Sequence, residues 1–316
     1  MPRSSSEKTR NIGEKGWKDK QILFVSGKGG VGKSLVAAGL ARELAKSGKR
    51  VLLAEIGETS YYKDFWNLPS IGHEPVKHPE GFDVALWSGE TSLREYVLFY
   101  LKMDRLYSLF FDNKVMRSLV NVAPGLSEIA ILGKITSGIR KVGPPLNYDT
   151  IIIDSFATGH ALALLQAPKG MMEAIKFGPM GHHSREMDAV IKNPKQTGYI
   201  VVTLLEELPV TESLEFRETL RRELGVSADI VANKVLEMPA DRAEIHALAA
   251  DNAGGSASGN QAAPDLKDFA RYLEGVEERQ TKYMKVLEDT GANVSVVPLI
   301  FSSEPSVLVE ETGKAL

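Results

Sequence analysis

Three observations predict an α/β fold, doubly wound around a mostly parallel sheet. An apolar run at 21–26 leads into a glycine-rich turn, a helical stretch and a second apolar run at 50–54. That is the order of a β–loop–α–β unit with a right-handed crossover. Several later runs are apolar throughout rather than alternating, as strands covered on both faces are, and helical spacing separates most of them.

The elements follow in order. Residues 1–19 read as a disordered tail, with Arg3, Lys8, Arg10, Lys15 and Lys18 set against Glu7, Glu14 and Asp19 and little apolar surface to offset ordering entropy. One domain then runs from 20 to 316. Its first helix, 33–47, carries Leu35, Val36, Ala38, Leu40, Ala41 and Leu44 at helical spacing, and Gly48 ends it. Further strands are expected at 83–87, 150–154, 199–203, 228–232 and 293–297. Two stretches, about 91–140 and 161–193, have helical spacing with no strand between their ends. They predict a helical insertion subdomain above the sheet. The first is crowded with Leu93, Tyr96, Phe99, Leu106 and Phe110; the second holds Met171, Met172, Met180 and Met187. Flexible thioethers suit a groove for a hydrophobic protein segment, and the same stripes equally suit the insertion's own core. Residues 251–265 have the composition of a flexible loop.

Composition narrows the function. With 43% hydrophobic and 25% charged residues, the chain is neither disordered throughout nor a polytopic membrane protein. No apolar run approaches the ~20 residues of a bilayer span, and the N-terminus has no signal-peptide core, so a cytoplasmic protein is expected. A formal charge of -3 gives no global field for nucleic acid, and no nucleic-acid partner is expected. Cysteine is absent, which excludes a thiolate nucleophile, a zinc–thiolate site and a disulfide framework.

The glycine-rich turn carries chemistry. Gly27-Lys28-Gly29-Gly30-Val31-Gly32-Lys33-Ser34 satisfies G-x-x-x-x-G-K-[ST], after a strand and at a helix start. Glycines let backbone N–H groups converge on phosphate oxygens, and the helix N-terminus adds its positive end. Lys33 supplies a point charge for the β- and γ-phosphates, and the Ser34 hydroxyl is a Mg²⁺ ligand. An ATP/ADP site of Gly27–Ser34 and Leu35 is expected, in a P-loop NTPase fold. A dinucleotide reading of the same glycines, with Glu55 on a ribose, leaves Gly32-Lys33-Ser34 without a role. The second lysine, Lys28, resembles the deviant Walker A pattern of ATPases that form nucleotide-sandwich dimers, where it reaches the partner's phosphates.

Downstream, Asp154-Ser155-Phe156-Ala157-Thr158-Gly159-His160 resembles the D-T-A-P-T-G-H segment of the ArsA-like ATPases, which include arsenical-pump ATPases and ATPases targeting tail-anchored membrane proteins. Pro124-Gly125-Leu126-Ser127-Glu128 and Glu207-Leu208-Pro209-Val210-Thr211-Glu212-Ser213 resemble further landmarks of that family. The resemblance implies that Asp154 orients Mg²⁺ with Ser34, and that Thr158-Gly159-His160 form a switch. It likewise implies that Asn233 and Lys234 lie on the adenine side and Pro298 and Leu299 in a purine-side loop. Lys28, Lys33 and Asp154 are the expected catalytic set.

Two departures modify that expectation. Gly57 stands where the family carries an aspartate that positions the attacking water, and glycine can neither orient nor deprotonate water. Glu55, Glu58 and Asp64 are displaced substitutes. The absence of cysteine removes the family's thiolate-bound metalloid and its zinc-clamped dimer. The expectation is a Mg²⁺-dependent ATPase, slow or partner-dependent, acting as a nucleotide-gated homodimer or as a heterodimer with a related ATPase, with an apolar client segment. The alternatives are a non-catalytic nucleotide-gated scaffold and a surface-positioning ATPase of the partitioning type.

Overall fold

A computed structural model describes residues 16–101, 125–155, 157–175, 179–237 and 262–316. Eight strands form one sheet: β1 (Ile22–Gly27), β2 (Val51–Ile56), β3 (Val76–Lys77), β4 (Asp83–Trp87), β5 (Thr150–Asp154), β6 (Thr197–Thr203), β7 (Asp229–Val235) and β8 (Val294–Pro298). Their spatial order is β3-β4-β2-β5-β1-β6-β7-β8. Every pairing is parallel except β3 with β4. The described helices are α1 (Lys33–Lys46), α2 (Tyr61–Phe65), α3 (Gly89–Leu101), α4 (Leu126–Arg140), α5 (Thr158–Ala174), α6 (Pro179–Lys192), α7 (Glu207–Leu224), α8 (Ala262–Glu288) and α9 (Pro305–Ala315).

The unbroken apolar runs are explained by two cores, one on each face. In β5, Ile151 and Ile153 enter one core and Ile152 the other. In β1, Ile22 and Phe24 take the first face while Leu23 and Val25 take the second. Side chains alternate across a strand, so both sets must be apolar when both faces are covered. Helices α4 to α7 contribute to the first core; α1, α2 and α9 contribute to the second. Among the described residues, no helix is long and apolar enough to cross a membrane.

Several expectations shift. The expected strands all form: 83–87 and 150–154 keep their bounds, the others shift at their ends by one to three residues, and β7 extends through Asn233 and Lys234. β3 was not anticipated: two residues at a sheet edge leave no periodic pattern. Residues 16–19 form a turn rather than tail, because Trp17 is buried at 5% exposure in the second core. Residues 1–15 lie outside the described residues, as do 102–124 of the first helical stretch and 238–261, which hold most of the expected loop. Residues 262–265 begin α8, and Pro264 is tolerated there because first-turn N–H groups need no helical partner. The described helices of 91–140 and 161–193 do meet, and α4, α5 and α6 share the sheet's own core. Met171 and Met187 are buried in that core and Met180 packs against it, so these three thioethers fill the interior.

Candidate functional site

β1 lies between β5 and β6; its own crossover leads through α1 to β2 on one side, and the chain passes from β5 to β6 on the other. In such sheets the crevice at the carboxyl ends of the strands, beside that reversal, is where ligands bind. The phosphate loop, Asp154 and Gly57 all sit at those ends.

The loop's shape demands its glycines. A Cβ on Gly27 would lie 2.2 Å from the Val202 carbonyl oxygen on β6. Gly32 has φ +92°, and a Cβ there would meet Asn233 Nδ2 at 2.3 Å. Gly32 is the N-cap of α1 and supplies no side-chain cap, so the first-turn N–H groups keep their donors for a ligand. The Lys33 ammonium donates to the Lys28 carbonyl oxygen at 2.9 Å. Burial draws its pKa down, and Asp154 opposes that only in part. Leu35 faces inward and packs on the second core.

Asp154 ends β5 at 6% exposure. Burial raises its pKa, against the pull of hydrogen bonds from the Ser34 and Tyr62 side chains and the charge of Lys33. The Tyr62 hydroxyl, on α2, lies 3.0 Å from Asp154 Oδ2 and 2.9 Å from the Ser34 carbonyl oxygen. On the neighbouring strand, in register with Asp154, stands Glu55. Its carboxylate accepts from Ser60 Oγ at 2.6 Å and from the Tyr61 N–H at 2.6 Å, while burial raises its pKa. Glu55 therefore holds the start of α2, whose N-cap is Ser60. Glu58 and Asp64 are exposed. Gly57 donates its N–H to the Trp87 carbonyl at 3.1 Å, and a Cβ there would meet only Thr59 O, at 3.7 Å. The backbone at 57 thus has room for a side chain; what the position lacks is a carboxylate.

Lys28 turns away from the loop, its ammonium donating to Glu212 Oε1 on α7 at 2.5 Å. Asn233 is 2% exposed, and its amide nitrogen donates to the Val31 carbonyl at 2.8 Å, stapling β7 to the phosphate loop. The next residue, Lys234, adopts φ +54°, a left-handed conformation at a β7–β8 bulge. Leu299 donates its N–H to Val235 O at 2.8 Å, and Pro298 is paired with Val235, so the two segments expected to flank the base are adjacent. Thr158 and Gly159 open α5, and His160 is exposed. Phe156 lies outside the described residues. Sequence reasoning missed Tyr62: Ser60 could have announced a helix start, but nothing in the sequence aims the phenol at Asp154.

Comparison with known proteins gives the family. Residues 20–180 match the anion-transporting ATPase family. ATPase BagA of Mycobacterium tuberculosis is 30% identical over 239 residues, covering 70% of this chain and 68% of that protein. A putative arsenical pump-driving ATPase of Halobacterium salinarum is 29% identical over 240 residues, covering 71% of this chain and 36% of that protein. The ATPase ASNA1 homolog of Plasmodium falciparum is 23% identical over 310 residues, with 86% and 79% covered.

Proposed function

The chain belongs to the anion-transporting ATPase family, and from that premise we propose that it binds ATP with Mg²⁺ and hydrolyses it slowly or only with a partner. The observation that carries the reading is the convergence of Lys33, Ser34 and Asp154 at one end of the sheet. The N–H groups of the phosphate loop and the Lys33 ammonium would hold the β- and γ-phosphates. Ser34 and Asp154 would hold Mg²⁺: a hydroxyl and a buried carboxylate are the hard oxygen donors that cation takes. When bound, the ion neutralises charge on the phosphate oxygens. The rest falls to the chain itself: the loop orients the nucleotide.

Gly57 motivates the qualification on rate, since without a carboxylate there the attacking water is oriented by groups that α2 or a partner must supply. Assembly follows the same logic. Lys28 would leave Glu212 to reach phosphates of a second subunit, in a homodimer or a heterodimer with a related ATPase, and nucleotide state would gate an apolar client segment. Without cysteine, metalloid binding through thiolates is not part of this reading.

The test is steady-state ATP hydrolysis by the purified protein with Lys33→Ala as control. Turnover that is slow and lost in the control is the expected result, and Gly57→Asp should raise it about a hundredfold. ATP binding with no turnover in either protein would favour the second reading, a nucleotide-gated scaffold or the weak half of a heterodimer. No nucleotide binding at all would overturn both.

A further inference from the structure

The Tyr62 ring is fully buried on α2, stacked on Trp66 with ring centroids 4.9 Å apart. Its hydroxyl emerges between α1 and β5, within reach of two acceptors, Ser34 O at 2.9 Å and Asp154 Oδ2 at 3.0 Å. A phenol has one proton, and an ionised carboxylate is the stronger acceptor. Burial keeps water from competing for the Asp154 carboxylate, while Ser34 is half-buried. The rest of α2 is fixed to β2: Glu55 accepts from Ser60 Oγ and the Tyr61 N–H, and Ser60 Oγ accepts from the Lys63 N–H at 3.1 Å. A short rigid link therefore runs from Gly57, through α2, to one oxygen of Asp154.

We propose that Tyr62 is a positioning residue, whose hydroxyl fixes the orientation of the Asp154 carboxylate toward the cation held with Ser34 and makes α2 follow the occupancy of that position. The proposal rests on the Mg²⁺ reading of Ser34 and Asp154. A carboxylate at a strand end rotates about its last bond; a donor anchored in the core removes that freedom before the ion arrives. The same hydrogen bond gives the segment after Gly57 a direct contact with the nucleotide site, which its exposed acids Glu58 and Asp64 do not provide.

The test is a Mg²⁺ titration of the binding of a fluorescent ATP analogue to the full chain, in wild type, Tyr62→Phe, Asp154→Asn and the double variant. Tyr62→Phe should raise the Mg²⁺ half-saturation about tenfold and leave affinity without Mg²⁺ within about twofold. In the Asp154→Asn background the same change should add nothing, since residues acting through one another are non-additive. An unchanged half-saturation, or an equal shift in both backgrounds, overturns the role of Tyr62 alone. Wild-type binding that ignores Mg²⁺ overturns this proposal together with the Mg²⁺ reading beneath it. Trypsin cleavage at the exposed Lys63 gives a measurement on wild type, whether or not Tyr62→Phe folds. Nucleotide with Mg²⁺ should slow it beyond nucleotide with chelator, and equal cleavage rates would overturn the coupling of α2.

Discussion

Glu95 and Asp154 are both carboxylates drawn out of solvent in one chain, and their surroundings displace them in opposite directions. Glu95, on α3, meets the Lys134 ammonium of α4 at 2.5 Å and His73 Nε2 at 2.9 Å. Burial would raise its pKa, but those hydrogen bonds and charges more than reverse it. Lys134, 5% exposed, also lies 5.0 Å from the Trp87 ring centre. Asp154 is buried more deeply, at 6% exposure against 24% for the Glu95 side chain, and nearby Lys33 directs its ammonium to a carbonyl, so burial wins. The first cluster pairs its charges directly, though His73 Nδ1 stays buried without a partner among the described residues; the second leaves a cation and an anion each short of a full partner. A cluster whose charges are paired holds elements together. An open one is arranged around charges that arrive with a ligand.

The largest contrast comes from truncating the two lysines. Lys33→Ala should abolish ATP binding, by at least about a hundredfold in affinity, while the melting temperature holds or rises because a half-buried cation is gone. Lys134→Ala should do the reverse. It strands Glu95 and His73 and should cost about 3 kcal/mol in urea unfolding, with ATP affinity within about twofold. If Lys134→Ala proved neutral to stability, the cluster would not be the fastening described. A smaller effect separates two glycines of the site. Gly32→Ala should lower stability by about 2 kcal/mol and weaken ATP binding, since its φ and Asn233 both oppose a Cβ. Gly57→Ala should stay within about 0.5 kcal/mol.

The finest discrimination is in pH. The folded-state pKa of Glu95 lies below its unfolded value. Its stabilisation is present above the unfolded carboxylate range and is lost as pH falls through the folded value. For Asp154 the folded-state pKa is raised. Its contribution is complete below the unfolded range and is lost as pH rises through the folded value. Urea midpoints from about pH 4 to about pH 7 should therefore show Glu95→Gln losing stability toward neutrality and Asp154→Asn gaining it. Slopes of one sign for both variants would erase the distinction.

The open cluster was largely legible in the sequence, and the paired one was not. Gly27 to Ser34 are contiguous, so their spacing alone carries the phosphate chemistry, and Asp154 follows a run too apolar to be anything but a buried strand. The strands were readable for the same reason, because burial on both faces writes itself into every position. His73, Glu95 and Lys134 are far apart along the chain and meet only once α3 and α4 pack. Each alone looks like an ordinary polar residue. Tyr62 was hidden similarly: its contact with Asp154 depends on β2 and β5 being neighbours, and sequence order does not state that. Trp17 was lost among charges that resemble a tail.

The central place of β1 has a consequence for biosynthesis. Ile22 pairs with Ile151 on one side and Thr197 on the other. At about 5–20 residues per second, β1 leaves the ribosome roughly 10–30 s before its second neighbour. Until β5 emerges β1 has neither of its sheet neighbours, and until β6 emerges the phosphate loop lacks the strand that Gly27 packs against, so nucleotide cannot template the early half of the chain. Assembly of the site is therefore a late event in the making of the chain.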